Sequence, residues 1–372
     1  MDIKVITRHA QSNYGSLLQA IATEIILARL GHKCEIIDYL RDDEHGLRGV
    51  LTYLNSKPTW NKNLLKKIVF TTVRYVDEKS AEIKFDRMRN HYLNLTKRFN
   101  KLEDLQHLDA DIFVTGSDQV WGAVQNGKYD GAYFLSFVRN RPKIAYSASF
   151  GRTDFTPEII KDYKNMLLDY TAISVREDSA VALLKDWDVP CSGQVLDPTL
   201  MLTGEEWSKY AGSDITKKYV LVYQIHKDPR LGDYAKRFAK YVDLPLVRVS
   251  SNLRQVLREG NFKWLPDLAD FLSYVKNCTY MITDSFHGTA FAINFNKQFI
   301  EILPNNNTGS RNMSILNLTG LTDRIVSDLN DLNLVNRRID YEKVNSVLNV
   351  ERQKSIEILK SIIADCTPTN IY

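Results

Sequence analysis

The sequence holds no apolar run near the roughly 18 residues that a membrane-spanning helix needs, so no such helix is expected. Its four cysteines, Cys34, Cys191, Cys278 and Cys366, are scattered without paired spacing. They exclude a disulfide framework and a zinc site and read as buried or incidental thiols in a reducing cytoplasm. The opening residues Met1-Asp2-Ile3-Lys4-Val5-Ile6-Thr7 run straight into a strand and lack a signal-peptide layout. A Gly-x-Gly-x-x-Gly fingerprint and a Gly-Lys-Ser/Thr phosphate loop are both missing, which excludes the two commonest nucleotide-binding turns. Repeats and low-complexity tracts are missing as well. A net charge of +4 is too weak by itself to point to nucleic acid.

What remains is an ordinary globular composition: 44% hydrophobic, 25% charged and 10% aromatic over 372 residues. That length suits two domains. The charge is unevenly spread. Residues 56–101 carry twelve Lys/Arg against four acids, so 12 − 4 gives +8 there and 4 − 8 gives −4 elsewhere. Trp60, Phe70, Tyr75, Phe85 and Tyr92 interleave with this charge. Two readings stand: a pair of amphipathic helices with solvated basic faces, or a peripheral contact with an anionic membrane surface or a diphosphate lipid.

Elsewhere strands and helices alternate. Lys4 to Arg8, helix Leu17 to Leu30 with Gly31 as its stop, and the strand Cys34 to Tyr39 make a βαβ start. Strands at 110–115 and 143–147 follow, and a second series begins near 170. The expected fold class is α/β, with two Rossmann-like domains facing a cleft. The N-terminal domain is placed at 1–168, with a basic helical insertion at about 41–104, and the C-terminal domain at 169–335. Residues 336–372 supply a closing helix that packs back across both.

Parallel α/β sheets bind ligands at the carboxyl ends of their strands, and polar clusters fall there. Asn13-Tyr14-Gly15-Ser16 is either a ligand contact or a helix cap. In Gly116-Ser117-Asp118-Gln119-Val120-Trp121, Asp118 is a candidate base, Gln119 a candidate sugar hydrogen-bonder and Trp121 a stacking platform. The competing reading is an N-cap Asp with a buried Trp. Arg176 offers a planar fork to phosphate or carboxylate, or else a salt bridge to Glu177, Asp178 or Asp197. Leu196-Asp197-Pro198-Thr199 ends another strand with a carboxylate. In Asp284-Ser285-Phe286-His287-Gly288-Thr289, His287 can exchange a proton near neutrality at a helix start that attracts anions. Arg311 is placed in a loop after the last strand, able to close over a ligand or to remain a solvated surface residue.

Six stretches taken together resemble the polysaccharide pyruvyltransferase family: Asn13 to Ala20, Gly116 to Trp121, Ala145 to Gly151, Ser174 to Ser179, Val195 to Thr199 and Ser285 to Gly288, in that family's order. The resemblance implies a GT-B-like fold. It also implies transfer of the pyruvyl group of phosphoenolpyruvate onto two sugar hydroxyls, giving a cyclic ketal in capsule or exopolysaccharide biosynthesis. Arg176, His287 and Gly288 match the motifs that the family associates with donor binding and proton transfer. The basic insertion matches no family motif.

From this follow the expected site residues. His287 and Asp118 are catalytic. Arg176, Ser285, Gly288, Thr289 and Arg311 bind the donor, and Asn13, Tyr14, Gln119 and Trp121 bind the acceptor. No metal and no cofactor beyond the co-substrate phosphoenolpyruvate is expected. The acceptor is a sugar, with a lipid-diphosphate-linked oligosaccharide as one form, and nucleic acid is not a partner. The expected location is the cytoplasm, at the inner face of the plasma membrane. A GT-B glycosyltransferase using a nucleotide sugar is the alternative, with Glu301 as the one carboxylate placed to hold a ribose. A non-catalytic binding module that keeps the fold is a third reading.

Overall fold

A computed structural model describes residues 1–41, 64–122, 129–304 and 309–366. Two parallel sheets dominate. The first contains β1 (Asp2–Ile6), β2 (Lys33–Ile36), β3 (Ile112–Thr115), β4 (Lys143–Ala148), β5 (Ala172–Val175) and β6 (Gly193–Gln194), in the order β2-β1-β3-β4-β5-β6. The second contains β7 (Val220–Tyr223), β8 (Leu246–Ser250), β9 (Asn261–Trp264), β10 (Tyr280–Thr283) and β11 (Gln298–Glu301), in the order β11-β10-β7-β8-β9. Helices cover both faces of such sheets, so their central strands are largely apolar. Ile3, Val5 and Ile6 of β1 and Met281 and Ile282 of β10 are all buried.

Strand order fixes where a ligand can sit. The first sheet reverses direction between β1 and β3, and the second between β7 and β10. Crevices open at the carboxyl ends of such switch points. Gly116 to Asp118 follow β3, and Asp284 to His287 follow β10.

The sequence reading differs from the structure in three places. The first sheet takes in β5 and β6, so the boundary expected at 168/169 falls inside it. The strand pattern before and after that point is the same, and only pairing distinguishes the sheets. Strand β9 was not anticipated, because it is a half-exposed edge strand with no run of buried apolar residues. Arg311 lies in the first turn of the helix Ser310–Thr319 and is buried; residues 305–308 of its expected loop lie outside the described residues.

The domains share one continuous apolar core. Tyr14, at the start of the helix Tyr14–Arg29, stacks on Phe271 of the second domain with ring centroids 4.2 Å apart, and its hydroxyl donates to Pro266 O at 2.6 Å. The insertion helix Leu64–Tyr92 buries Ala81, Phe85 and Met88 in the same core. It also ties the domains together: Leu253 N donates to Asp77 Oδ1 at 3.0 Å, and Lys84 pairs with Asp267. Part of its positive charge is spent on Arg74–Glu78, Lys79–Glu82 and Arg89–Asp86 pairs. Residues 42–63, including Lys57, Trp60 and Lys62, lie outside the described residues, as do the side chains of Lys66, Lys67 and Phe70. Among the described residues no helix is long and apolar enough to cross a membrane.

The final helix, Tyr341–Ala364, returns to the first domain. Ser355 Oγ accepts from Leu196 N at 3.0 Å, while Arg352 Nε donates to Leu200 O at 2.7 Å. Tyr341 at its other end donates to Lys297 O of the second domain.

Candidate functional site

Arg176 closes β5 and is 4% exposed. Its Nη1 donates to Asp197 Oδ2 at 2.6 Å, and its Nε lies 3.6 Å from Glu177 Oε2. Asp197 is fixed in turn by Thr199, whose N and Oγ1 donate to Oδ1 at 2.9 and 2.6 Å. The Arg176 guanidinium rests on the Phe286 ring, 4.4 Å from its centroid, and Arg311 approaches the same ring at 5.9 Å. One aromatic face thus gathers two cations.

Asp118 faces them from the loop after β3. It adopts φ +75°, a conformation that strains any residue with a side chain. Ser16 Oγ donates to its Oδ2 at 2.7 Å, and the next backbone N–H, of Gln119, donates to Oδ1 at 2.9 Å. Oδ1 also lies 3.9 Å from both Arg176 Nη2 and Arg311 Nη1.

His287 is the second residue of the helix Phe286–Asn294. Its Nε2 is 3.7 Å from Asp197 Oδ2, beyond hydrogen-bond length. The other edge of the ring lies against Gly15: a Cβ added there would fall 2.1 Å from His287 Nδ1. Gly15 is therefore required for the imidazole to fit.

Burial alone would raise the Asp118 carboxyl, but the charges of His287, Arg176 and Arg311 outweigh it and hold the group below its ordinary range. Asp197 is held low against burial by His287 and Arg176. Burial works to lower Arg176, but the carboxylates of Asp197, Glu177 and Asp118 more than reverse it. Arg311 moves the other way, lowered to about 10 by burial and by the like charge of Arg176.

Several atoms here are buried without a hydrogen-bond partner among the described residues: Arg176 Nε and Nη2, Arg311 Nε, His287 Nε2 and Glu177 Oε2. Leaving such a group unsatisfied costs about 1–3 kcal/mol. The cavity beside them measures about 20 Å³, room for about one water.

Five of the six motif stretches contribute atoms to this point, and the family comparison agrees. A model of the polysaccharide pyruvyl transferases matches residues 13–307. This chain belongs to the polysaccharide pyruvyl transferase family. As a member it is a transferase. No curated protein matches it in sequence.

The solved structures it resembles share its fold at low identity. A UDP-N-acetylglucosamine 2-epimerase from Rickettsia bellii superposes with TM-score 0.54 at 13% identity, covering 98% of this chain and 97% of that one. A putative UDP-N-acetylglucosamine 2-epimerase from Listeria monocytogenes gives TM-score 0.57 at 10% identity, again covering 98% and 97%. S. aureus MnaA, solved with UDP, gives 0.52 at 14%, covering 99% and 98%. The pyruvyl transferase family member thus has the two-domain GT-B fold expected from its sequence.

Not all expected site residues of this pyruvyl transferase reach the cluster. Trp121 is fully buried among Phe134, Phe150 and Tyr170 and donates to Tyr133 O at 3.3 Å, so its ring is core and no sugar platform. Tyr14 is spent on the domain interface. Asn13 caps its helix, accepting from Gly15 N at 2.8 Å, and the residue also lines the cleft. Gln119 is half-buried; its carbonyl accepts from Arg8 Nε at 3.1 Å and its side chain packs over Gly151.

On the donor side, Ser285 Oγ accepts from Gly288 N at 3.3 Å, and Ser285 O accepts from Thr289 N at 2.9 Å. Those N–H groups are therefore not available to a phosphate. Gly288 is needed because an added Cβ would fall 2.3 Å from Thr283 Oγ1, and the Thr289 hydroxyl bonds Glu301.

Glu301 is itself fully buried, bonded also to Asn312 Nδ2 at 2.7 Å, and burial raises it to about 8. Both its oxygens are thus engaged within the protein, which counts against it as the ribose ligand that the nucleotide-sugar alternative favours.

Sequence reasoning assigned no site role to Ser16, Glu177, Asp197 or Phe286. Asp197 carried a signal, a strand-end carboxylate before proline. Phe286 carried only its place beside His287.

Proposed function

We propose that this chain transfers the pyruvyl group of phosphoenolpyruvate to two hydroxyls of a sugar, forming a cyclic ketal and releasing phosphate. The observation that carries this reading is the pair of arginines stacked on Phe286, with buried N–H donors unspent, beside His287. A donor bearing both phosphate and carboxylate matches two guanidiniums with free donor edges.

The roles follow from position. Arg176 and Arg311 bind the donor anions. His287, protonated beside Asp197, delivers a proton to the donor's methylene carbon, which turns the adjacent carbon cationic. A sugar hydroxyl attacks that carbon and gives up its proton. The second hydroxyl then displaces phosphate, and its proton passes to the departing phosphate. Asp118 takes a hydroxyl proton. As it stands the arginines make it a weak base; a bound donor draws their charge toward itself and raises its basicity. These steps draw on side chains alone and call for no cofactor.

The test is phosphate release from phosphoenolpyruvate with and without a galactoside or N-acetylhexosamine acceptor, together with mass analysis of the sugar. Release that requires the acceptor, with pyruvyl mass added and water lost, supports the reading. Nucleoside diphosphate release from a sugar nucleotide sinks it.

A further inference from the structure

Strand β11 ends in a carboxyl group that the proposed mechanism leaves idle. Glu301 is 0% exposed. Its Oε1 accepts from Asn312 Nδ2 at 2.7 Å, and its Oε2 meets the Thr289 hydroxyl. Thr289 stands two residues after His287 on the helix Phe286–Asn294. Asn312 directly follows Arg311 on the helix Ser310–Thr319. One carboxyl therefore joins the helix that carries His287 to the helix that carries Arg311.

The protons at this joint can be counted. Thr289 Oγ1 holds one, and two oxygens compete for it: Glu301 Oε2, and Ser285 O at 3.1 Å. With Glu301 ionised, one of the two goes without. With a proton on Oε2, the acid donates to Thr289, Thr289 donates to Ser285 O, and Oε1 still accepts from Asn312. Every group is then satisfied. The surroundings favour the same form. Thr289 and Asn312 are neutral. The charge that reaches Glu301 from beside β10 is Asp284, which is 1% exposed and accepts from Ile225 N and His226 N. The turn Thr322–Arg324 lies next to Ile325, which bridges Glu301, but Arg324 is directed to Asp323 and to Arg337 O. No Lys, Arg or His pairs with Glu301 among the described residues. Burial and the like charge of Asp284 both penalise an ionised carboxylate here.

We propose that Glu301, held as a neutral acid, is a positioning residue that sets the spacing of His287 and Arg311 across their two helices. Its part in pyruvyl transfer rests on the function proposed above; the neutral joint does not. An ionised Glu301 would draw the Thr289 proton away from Ser285, the cap of the His287 helix, and would stand as a buried charge without a counter-ion.

Two measurements on the full chain test this. Infrared difference spectra, wild type minus Glu301→Gln, report the protonation state below about pH 8. A carboxylic-acid carbonyl band is expected, and carboxylate bands in its place overturn the proposal. Steady-state kinetics report the positioning. Glu301→Gln keeps a donor for Thr289 and an acceptor for Asn312, so kcat should stay within about threefold of wild type. Glu301→Ala keeps neither, and Thr289→Val cuts one arm of the joint. Each should lower kcat about tenfold or more while KM for the acceptor moves less than about twofold. Melting curves establish that each variant is folded, and Thr289→Val, which keeps the shape of the side chain, carries the test where Glu301→Ala does not fold. Unchanged kcat in folded Thr289→Val overturns the proposal, as does a Gln variant as impaired as the Ala variant. An acid band in a chain that transfers no pyruvyl group would leave the neutral joint standing and remove the proposed function, and with it the positioning role. Transfer by a chain with Glu301 ionised would do the reverse.

Discussion

The buried charge cluster around Arg176 and the open cavity at the carboxyl ends of β7 and β8 are built on opposite plans. In the cluster, Arg176, Arg311 and His287 face Asp118, Asp197 and Glu177, and Arg176, Arg311, Asp197 and Glu177 line a cavity of about 20 Å³. In the cavity, cations line about 510 Å³ with no acid among the described residues. Charges that cross-compensate in a closed space are held at fixed geometry, which suits proton transfer. An open cavity with basic side chains in its lining suits binding. The two regions should therefore answer mutation differently: the cluster through turnover, the cavity through affinity.

The largest effect is expected at His287. His287→Asn should lower kcat about 10²–10⁴-fold, with the melting temperature within a few degrees of wild type, as read by phosphate release and calorimetry. Loss of folding in this variant and in Arg176→Lys alike would make the cluster structural and erase the distinction.

Gly15→Ala comes next. The added Cβ meets His287 Nδ1 and pushes the imidazole away without touching its chemistry. A displacement of about 1 Å can cost on the order of 10²-fold, so kcat should fall well over tenfold while KM for phosphoenolpyruvate moves little.

Tyr14→Phe should cost about 1 kcal/mol of stability through loss of the bond to Pro266 O, with kcat/KM within twofold. A large rise in acceptor KM would instead return Tyr14 to the acceptor site.

The last effect is a pH slope. Glu301 is raised from 4.5 to about 8. The fold thus favours its protonated form, so stability falls as pH climbs through the unfolded value and the loss is complete above about 8. Glu301→Gln should flatten the fall in melting temperature between those limits. An unchanged slope would show that Glu301 is not the group responsible.

Much of this was legible in the sequence because it is written locally. Strand β10 and the Ser285 cap before His287 follow from an apolar run meeting a helix start, and Gly31 at φ +83° ends its helix as the composition suggests. Arg176, Asp118 and His287 were found because strand ends in parallel sheets face ligands. What failed was whatever depended on direction in space. Trp121 and Asp118 stand three residues apart in one motif, yet one turns into the core and the other into the cleft. Thr289 lies two residues from His287 on a helix, and so points elsewhere, toward Glu301. Glu177 and Asp197 gain their role only because β5 and β6 pair, and pairing was the step at which the domain boundary was misplaced.

The central claim is that His287 and its neighbours protonate phosphoenolpyruvate and join its pyruvyl carbon to a sugar. It is tested most directly by running the reaction in D2O and examining the product by NMR and mass spectrometry. The expected product is a cyclic ketal whose methyl group carries deuterium, formed with one phosphate released, and lost in His287→Asn. A ketal methyl group free of deuterium, or phosphate released with no ketal formed, would contradict it.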